Sequence, residues 1–149
     1  MHSGNLKVLF LCLENLDHSR FSEIYFNHLA GHAHINWQSF SRIFKVGKTD
    51  FENSYIIALE RLEKLGIKSF SPLRNPYEVT VDDLRQSDLR VALYQPKNLK
   101  RFCDRFPDWL DQIEFWQIPD TEKVELKQTF ITLENQIEKL INRLALLNV

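Results

Sequence analysis

The sequence predicts a three-layer α/β/α domain around a four-stranded parallel sheet, and three observations lead there. Short apolar or β-favouring runs alternate with helical patterns from one end to the other, the signature of successive βαβ units. The first run, Val8-Leu9-Phe10-Leu11-Cys12-Leu13, is apolar at every position, as a strand covered on both faces must be. No linker, repeat or low-complexity stretch interrupts the 149 residues, so residues 1–149 read as one domain. A chain of that length buries roughly 68–70% of its unfolded surface and needs neither disulfides nor a structural metal to fold.

The elements follow in order. After the first strand the pattern turns helical at Ser19, with Phe21, Ile24, Tyr25, Phe26 and Leu29 on one side and Gly31 as the expected stop. Residues 35–44, rich in aromatic and β-favouring side chains, should contain a second strand. Thr49 or Asp50 can cap the next helix, in which Ile56, Leu59, Leu62 and Leu65 recur at helical spacing before Gly66. Pro72 and Pro76 enclose a loop. Thr80-Val81-Asp82-Asp83 has the form of a capped helix start, with Thr80 as the cap. Residues 89–94 read as the third strand, 97–106 as a short helix ended by Pro107, and 114–118 as the fourth strand. A long amphipathic helix over 124–147 closes the chain, with Leu126, Phe130, Leu133, Ile137, Leu140, Ile141 and Leu144 on its apolar face.

Composition narrows the function classes. With 19 Lys+Arg against 20 Asp+Glu the net charge is −1, which gives no electrostatic case for nucleic acid or an anionic membrane as the main partner. The two cysteines, Cys12 and Cys103, form neither a secreted disulfide framework nor a four-ligand zinc pattern. The opening apolar run is too short to cross a bilayer and no small-residue cleavage site follows it, so a cytoplasmic location is expected. His28, His32 and His34 flank a helix end; their carboxylate company is poor and histidine is common there for dipole reasons, so no metal is assigned. Trp37, Trp109 and Trp116 read as core or edge aromatics.

In open parallel sheets, ligands bind beyond the carboxyl ends of the strands, where strand order reverses. The first strand-to-helix loop, Cys12-Leu13-Glu14-Asn15-Leu16-Asp17-His18-Ser19-Arg20, is the natural candidate. Its N–H groups together with the following helix N-terminus could form an anion site. Cys12 has two readings: a thiolate nucleophile favoured by that N-terminus, or a small buried hydrophobe ending a strand.

Residues 7–19 resemble the opening of the low-molecular-weight protein tyrosine phosphatases, in which a strand of the type VLFVC enters a phosphate loop, C-L-G-N-I-C-R-S, and then a helix. The likeness runs without a gap into Glu23 and Phe26. Family-like features recur at Ser39, placed after the second strand region, in the Arg74-Asn75-Pro76 loop, and at Ile118-Pro119-Asp120 after the last strand. The resemblance implies a phosphate loop over Leu13, Glu14, Asn15, Leu16, Asp17 and His18. Cys12 would be the nucleophile forming a phosphocysteine, Asn15 the residue holding the cradle in shape, and Ser19 the hydroxyl supporting the thiolate. Asp120 would be the acid that protonates the leaving oxygen; on its own it reads equally as a helix cap. No cofactor is implied, and the implied partner is a phosphate-like anion or a phosphotyrosine protein.

The loop departs from the family at three positions. The family arginine of C-x₅-R is His18 here, and imidazole cannot reproduce a permanently charged two-pronged fork. The loop glycine is Glu14 and the second loop cysteine is Asp17, so two carboxylates stand beside a site meant for a dianion and oppose ionisation of Cys12. Arg20 makes the spacing C-x₇-R and falls where the family usually has a helix-start proline. Arsenate reduction, a related activity, needs further thiols, and Cys103 is the only other one. The expectation is therefore a phosphatase-like protein impaired in catalysis, acting by binding a partner or a small anion. The alternative is an active phosphatase working through Cys12.

Overall fold

The computed structural model describes residues 5–13, 16–44, 51–68, 77–118 and 126–147. Its elements are β1 (Leu6–Cys12), α1 (Leu16–His32), β2 (Trp37–Ile43), α2 (Phe51–Lys64), α3 (Val81–Gln86), β3 (Leu89–Tyr94), α4 (Pro96–Arg105), a 3₁₀ turn (Pro107–Gln112), β4 (Glu114–Gln117) and α5 (Leu126–Leu147). The four strands form one parallel sheet in the order β2-β1-β3-β4.

The unbroken apolar run puts β1 inside, flanked by β2 and β3, because both its faces must be covered. Alternation along the strand then divides its side chains between two cores. Val8 and Phe10 point into one, with Phe21 and Phe26 of α1, Leu62 of α2 and Leu133, Ile137 and Leu140 of α5. Leu9 and Leu11 point into the other, with Leu84 of α3, Phe102 of α4 and Ile113. The sheet is thus sandwiched by α1, α2 and α5 on one side and by α3 and α4 on the other, as three layers require.

Helix ends show which backbone positions need special residues. The Thr80 side chain accepts from the Asp83 N–H while the Asp83 carboxylate accepts from the Thr80 N–H, the reciprocal cap expected at α3. Gly66, with φ of 76°, ends the helical stretch containing α2: Ile67 N–H reaches the Leu62 carbonyl and Gly66 N–H the Glu63 carbonyl. Gly31 does not have that role. α1 continues to His32, and the left-handed position falls on His34, φ 54°, with Ile35 N–H on the Ala30 carbonyl and His34 N–H on the Gly31 carbonyl. The position that requires positive φ is the one after the last helical turn, and here it lies three residues beyond the glycine. The expected caps at Thr49 or Asp50 and the Pro72–Pro76 loop lie outside the described residues.

β2 is an edge strand, and its outward backbone is occupied. The Asn27 side chain accepts from Ser39 N–H at 2.7 Å and donates to the Ser39 carbonyl at 3.3 Å. Arg42 donates to the Ser41 carbonyl at 2.8 Å, and Ile43 pairs with Tyr77 and Val79. Two side chains, and at one end the backbone of residues 77–79, thereby stand in for a neighbouring strand and blunt an exposed edge. Ser39 itself sits within β2, three residues into it, rather than after it.

Between α1, α2 and α5 lies an ionic cluster. Arg61 grips Glu134 through two parallel hydrogen bonds of 2.7 and 2.9 Å. The nearby Tyr25 phenol, stacked on Phe21, is pushed up to about 12, by burial first and then by the Glu138 and Glu134 carboxylates, with Arg61 opposing. The folded chain keeps this proton where an unfolded chain sheds it, so its contribution to stability is whole below pH 10.0 and is lost as pH rises toward 12. Tyr25→Phe is expected to flatten the fall in denaturation midpoint above about pH 9.5. A slope identical to the parent's would show that Tyr25 does not govern alkaline stability.

Candidate functional site

The sheet order places the site. The chain runs from β1 to β2 on one side and then returns to β3 on the other, so strand order reverses beside the carboxyl end of β1. Cys12 is the last residue of β1, in register with Ile43 of β2 and Leu93 of β3. The Leu13 N–H donates to the Leu93 carbonyl at 3.2 Å, and Phe44 N–H to the Cys12 carbonyl at 2.9 Å, so both neighbours hold the strand end in place.

The Cys12 side chain is 1% exposed, at the bottom of this end of the sheet. Ser19 Oγ donates to Cys12 Sγ at 3.0 Å, and the thiol lies 3.7 Å from the Arg42 carbonyl, which can accept from it. Ser19 is fully buried in the opening turns of α1, which brings its hydroxyl back over a seven-residue separation. The sulfur thus accepts a hydroxyl hydrogen bond from α1, the helix that begins four residues after it.

His18 packs towards α5. α1 begins at Leu16, so position 18 belongs to its first turn. The imidazole is 5% exposed and meets the Phe130 ring of α5 edge-on, centroids 6.2 Å apart at 85°. Its backbone carbonyl accepts from Ser22 Oγ at 2.7 Å. Asp17 also falls in this first turn, and Leu16 starts the helix. Arg20 is buried within α1.

Of the residues singled out from sequence, the structure brings together Cys12, Leu13, Ser19 and His18 around the β1–α1 junction. Glu14, Asn15 and Asp120 lie outside the described residues. Two neighbours of the site escaped the sequence reading. Arg42, on β2, supplies the carbonyl near the thiol; its guanidinium sits 5.0 Å from the Phe40 ring centroid and 5.1 Å from that of Tyr77, and pairs with Asp83 at 3.2 Å. An arginine inside a strand run was the available signal. Phe130 was read only as core, because nothing in linear sequence connects it to position 18.

Cys103 lies half-buried on α4 and neither cysteine is in a disulfide. Among the described residues no group of three or more His, Cys, Asp or Glu is arranged to hold a metal ion, and no helix is long and apolar enough to cross a membrane.

No protein-family model matches the chain, and no curated protein matches it by sequence. Solved structures do match in shape. A low molecular weight phosphotyrosine phosphatase from Vibrio cholerae O395 superposes with a TM-score of 0.72 at 22% identity, over 93% of this chain and 96% of that one. A low molecular weight protein tyrosine phosphatase from T. tengcongensis gives 0.69 at 21% identity, over 93% and 99%. A thioredoxin-dependent arsenate reductase from Corynebacterium glutamicum gives 0.65 at 16% identity, over 98% of this chain and 65% of that one. The four-stranded parallel sheet covered by helices agrees with these matches: the chain has the fold of the low-molecular-weight protein tyrosine phosphatases.

Proposed function

We propose that this is a phosphatase-like protein with impaired phosphoryl transfer, acting in the cytoplasm as a single domain that binds a phosphate-like anion or a phosphotyrosine protein. The observation that carries the reading is His18: six residues after the cysteine, its ring is packed against Phe130 in the core rather than offering a charged fork to a ligand. Phosphoryl transfer depends on stabilising charge over three equatorial oxygens, and losing one preorganised donor at such a site costs about 10²–10³ in rate. The carboxylates of Glu14 and Asp17 add negative charge to the same segment.

One observation favours the second reading, an active phosphatase hydrolysing phosphotyrosine or small aryl phosphates. The 3.0 Å bond from Ser19 to Cys12 Sγ preserves the hydroxyl that would support a thiolate nucleophile. In that case Cys12 attacks phosphorus, the aryl oxide leaves with a proton from Asp120, and water then hydrolyses the phosphocysteine.

Two measurements on the unmodified protein separate the readings. Hydrolysis of a small aryl phosphate should be near background. Alkylation of Cys12 by iodoacetamide should still be accelerating at about pH 8. Turnover that Cys12→Ser abolishes, with an alkylation rate already flat near about pH 6, would establish the active phosphatase instead.

A further inference from the structure

α1 has a second constellation at its other end. The helix spans 17 residues, about 25 Å at 1.5 Å per residue, so its last turn is remote from the Cys12 junction at its start. His28 and His32 stand there one turn apart, ring centroids 4.4 Å from each other and planes tilted by 55°. The geometry points to a two-imidazole chelate at His28 and His32 for a borderline divalent ion such as Zn²⁺, Ni²⁺ or Cu²⁺, with water completing the coordination.

Three features support the site. Residues at i and i+4 share a helix face, the spacing by which paired histidines on a helix hold zinc. With metal–nitrogen bonds of about 2.0–2.1 Å, two imidazoles on one tetrahedral ion have ring centres about 5 Å apart, so the rings, now at 4.4 Å, have to swing apart by less than about 1 Å to close the chelate. His32 also lies in the last turn of the helix, where the negative end of the dipole favours a cation.

Imidazole nitrogen suits Zn²⁺, Ni²⁺ and Cu²⁺, whereas Mg²⁺ and Ca²⁺ prefer oxygen. Among the described residues no group of three or more His, Cys, Asp or Glu is arranged to hold a metal, so the pair supplies two protein ligands and water the rest. In sequence, His28, His32 and His34 suggest a metal only weakly against the dipole reading; the ring-to-ring distance is what singles out two of them as a pair.

The untagged full chain, titrated with ZnCl₂ under reducing conditions, tests the site by calorimetry and by the ring C–H signals of its histidines in NMR. Saturable uptake of one ion is expected, with the His28 and His32 signals responding first, and MgCl₂ should cause no change. His32→Asn, at an exposed position, should weaken binding by about tenfold or more, and His28→Asn likewise, whereas His34→Asn and Cys12→Ser should leave it within about twofold. Circular dichroism reports whether each variant is folded; if His28→Asn is not, His32→Asn decides alone. Zinc affinity unchanged by His32→Asn, affinity lost in Cys12→Ser, or no saturable binding at all would overturn the proposal.

Discussion

Replacing His18 by Arg together with Glu14 by Gly should raise hydrolysis of a small aryl phosphate by about 10²–10³ over the parent protein. Arg at position 18 restores two parallel charge-assisted hydrogen bonds to phosphoryl oxygens, and Gly at 14 restores backbone freedom while removing a repulsive charge. Neither change alone should suffice, because the loop needs both the right shape and the right charge. The structure adds a cost. The His18 ring occupies a place against Phe130 in the core, and an arginine must leave that place to reach a ligand. The repaired protein should therefore be somewhat less stable, with the vacated packing around Phe130 as the cause. Rates are to be measured for the parent, both single variants, the double, and the double with Cys12→Ser, which should abolish the gain. A folded double variant no faster than the parent would place the defect elsewhere, first around Asp120, where Thr121-Glu122-Lys123 lacks the aromatic residues that often follow the acid in proteins of this resemblance. A parent as fast as the double variant would make the protein a working phosphatase.

The second large effect concerns stability. Glu134→Ala should destabilise the fold by about 3 kcal/mol, because it leaves the Arg61 guanidinium, only 15% exposed, without the carboxylate that meets two of its N–H groups. For a chain of this size that is a fall in Tm of about 6–12 °C. The Arg61→Met, Glu134→Leu double variant should recover most of the loss, since two apolar side chains between α2 and α5 remove both desolvated charges together. Thermal melts of the three proteins give the comparison. If Glu134→Ala matched the parent, the ion pair would contribute no more than an exposed one, and water would be satisfying Arg61 in its absence.

How much of this was legible in the sequence depended on the range of the interaction. The strand Val8–Cys12 announces itself because a segment buried on both faces has no room for a polar residue, and the structure accordingly sets β1 inside the sheet. The Thr80–Asp83 cap and the Gly66 turn are contacts within a few residues, so residue type and spacing carry them almost completely. The end of α1 shows the limit of that reasoning: glycine is permissive rather than obligatory, and His34 adopts the left-handed conformation because the chain must turn there into β2. The 3₁₀ turn at Pro107–Gln112 was likewise invisible, since i→i+3 turns have no apolar period of their own.

The candidate site divides in the same way. By itself the sequence determined that Cys12 ends a buried strand and that a helix follows it, together with the identities of the loop residues; these are facts of covalent order and local pattern. Only the tertiary structure decided what those residues meet. Ser19 reaches Cys12 because helix winding folds seven residues back on the strand end. His18 lies against Phe130, 112 positions away in sequence, because α5 packs across α1 on one face of the sheet. Arg42 comes beside the thiol through the parallel register of β1 with β2. Local propensities extend over a few residues, whereas a functional site is assembled from contacts whose partners are chosen by burial of the whole apolar surface, and that choice is made only when the layers close on one another.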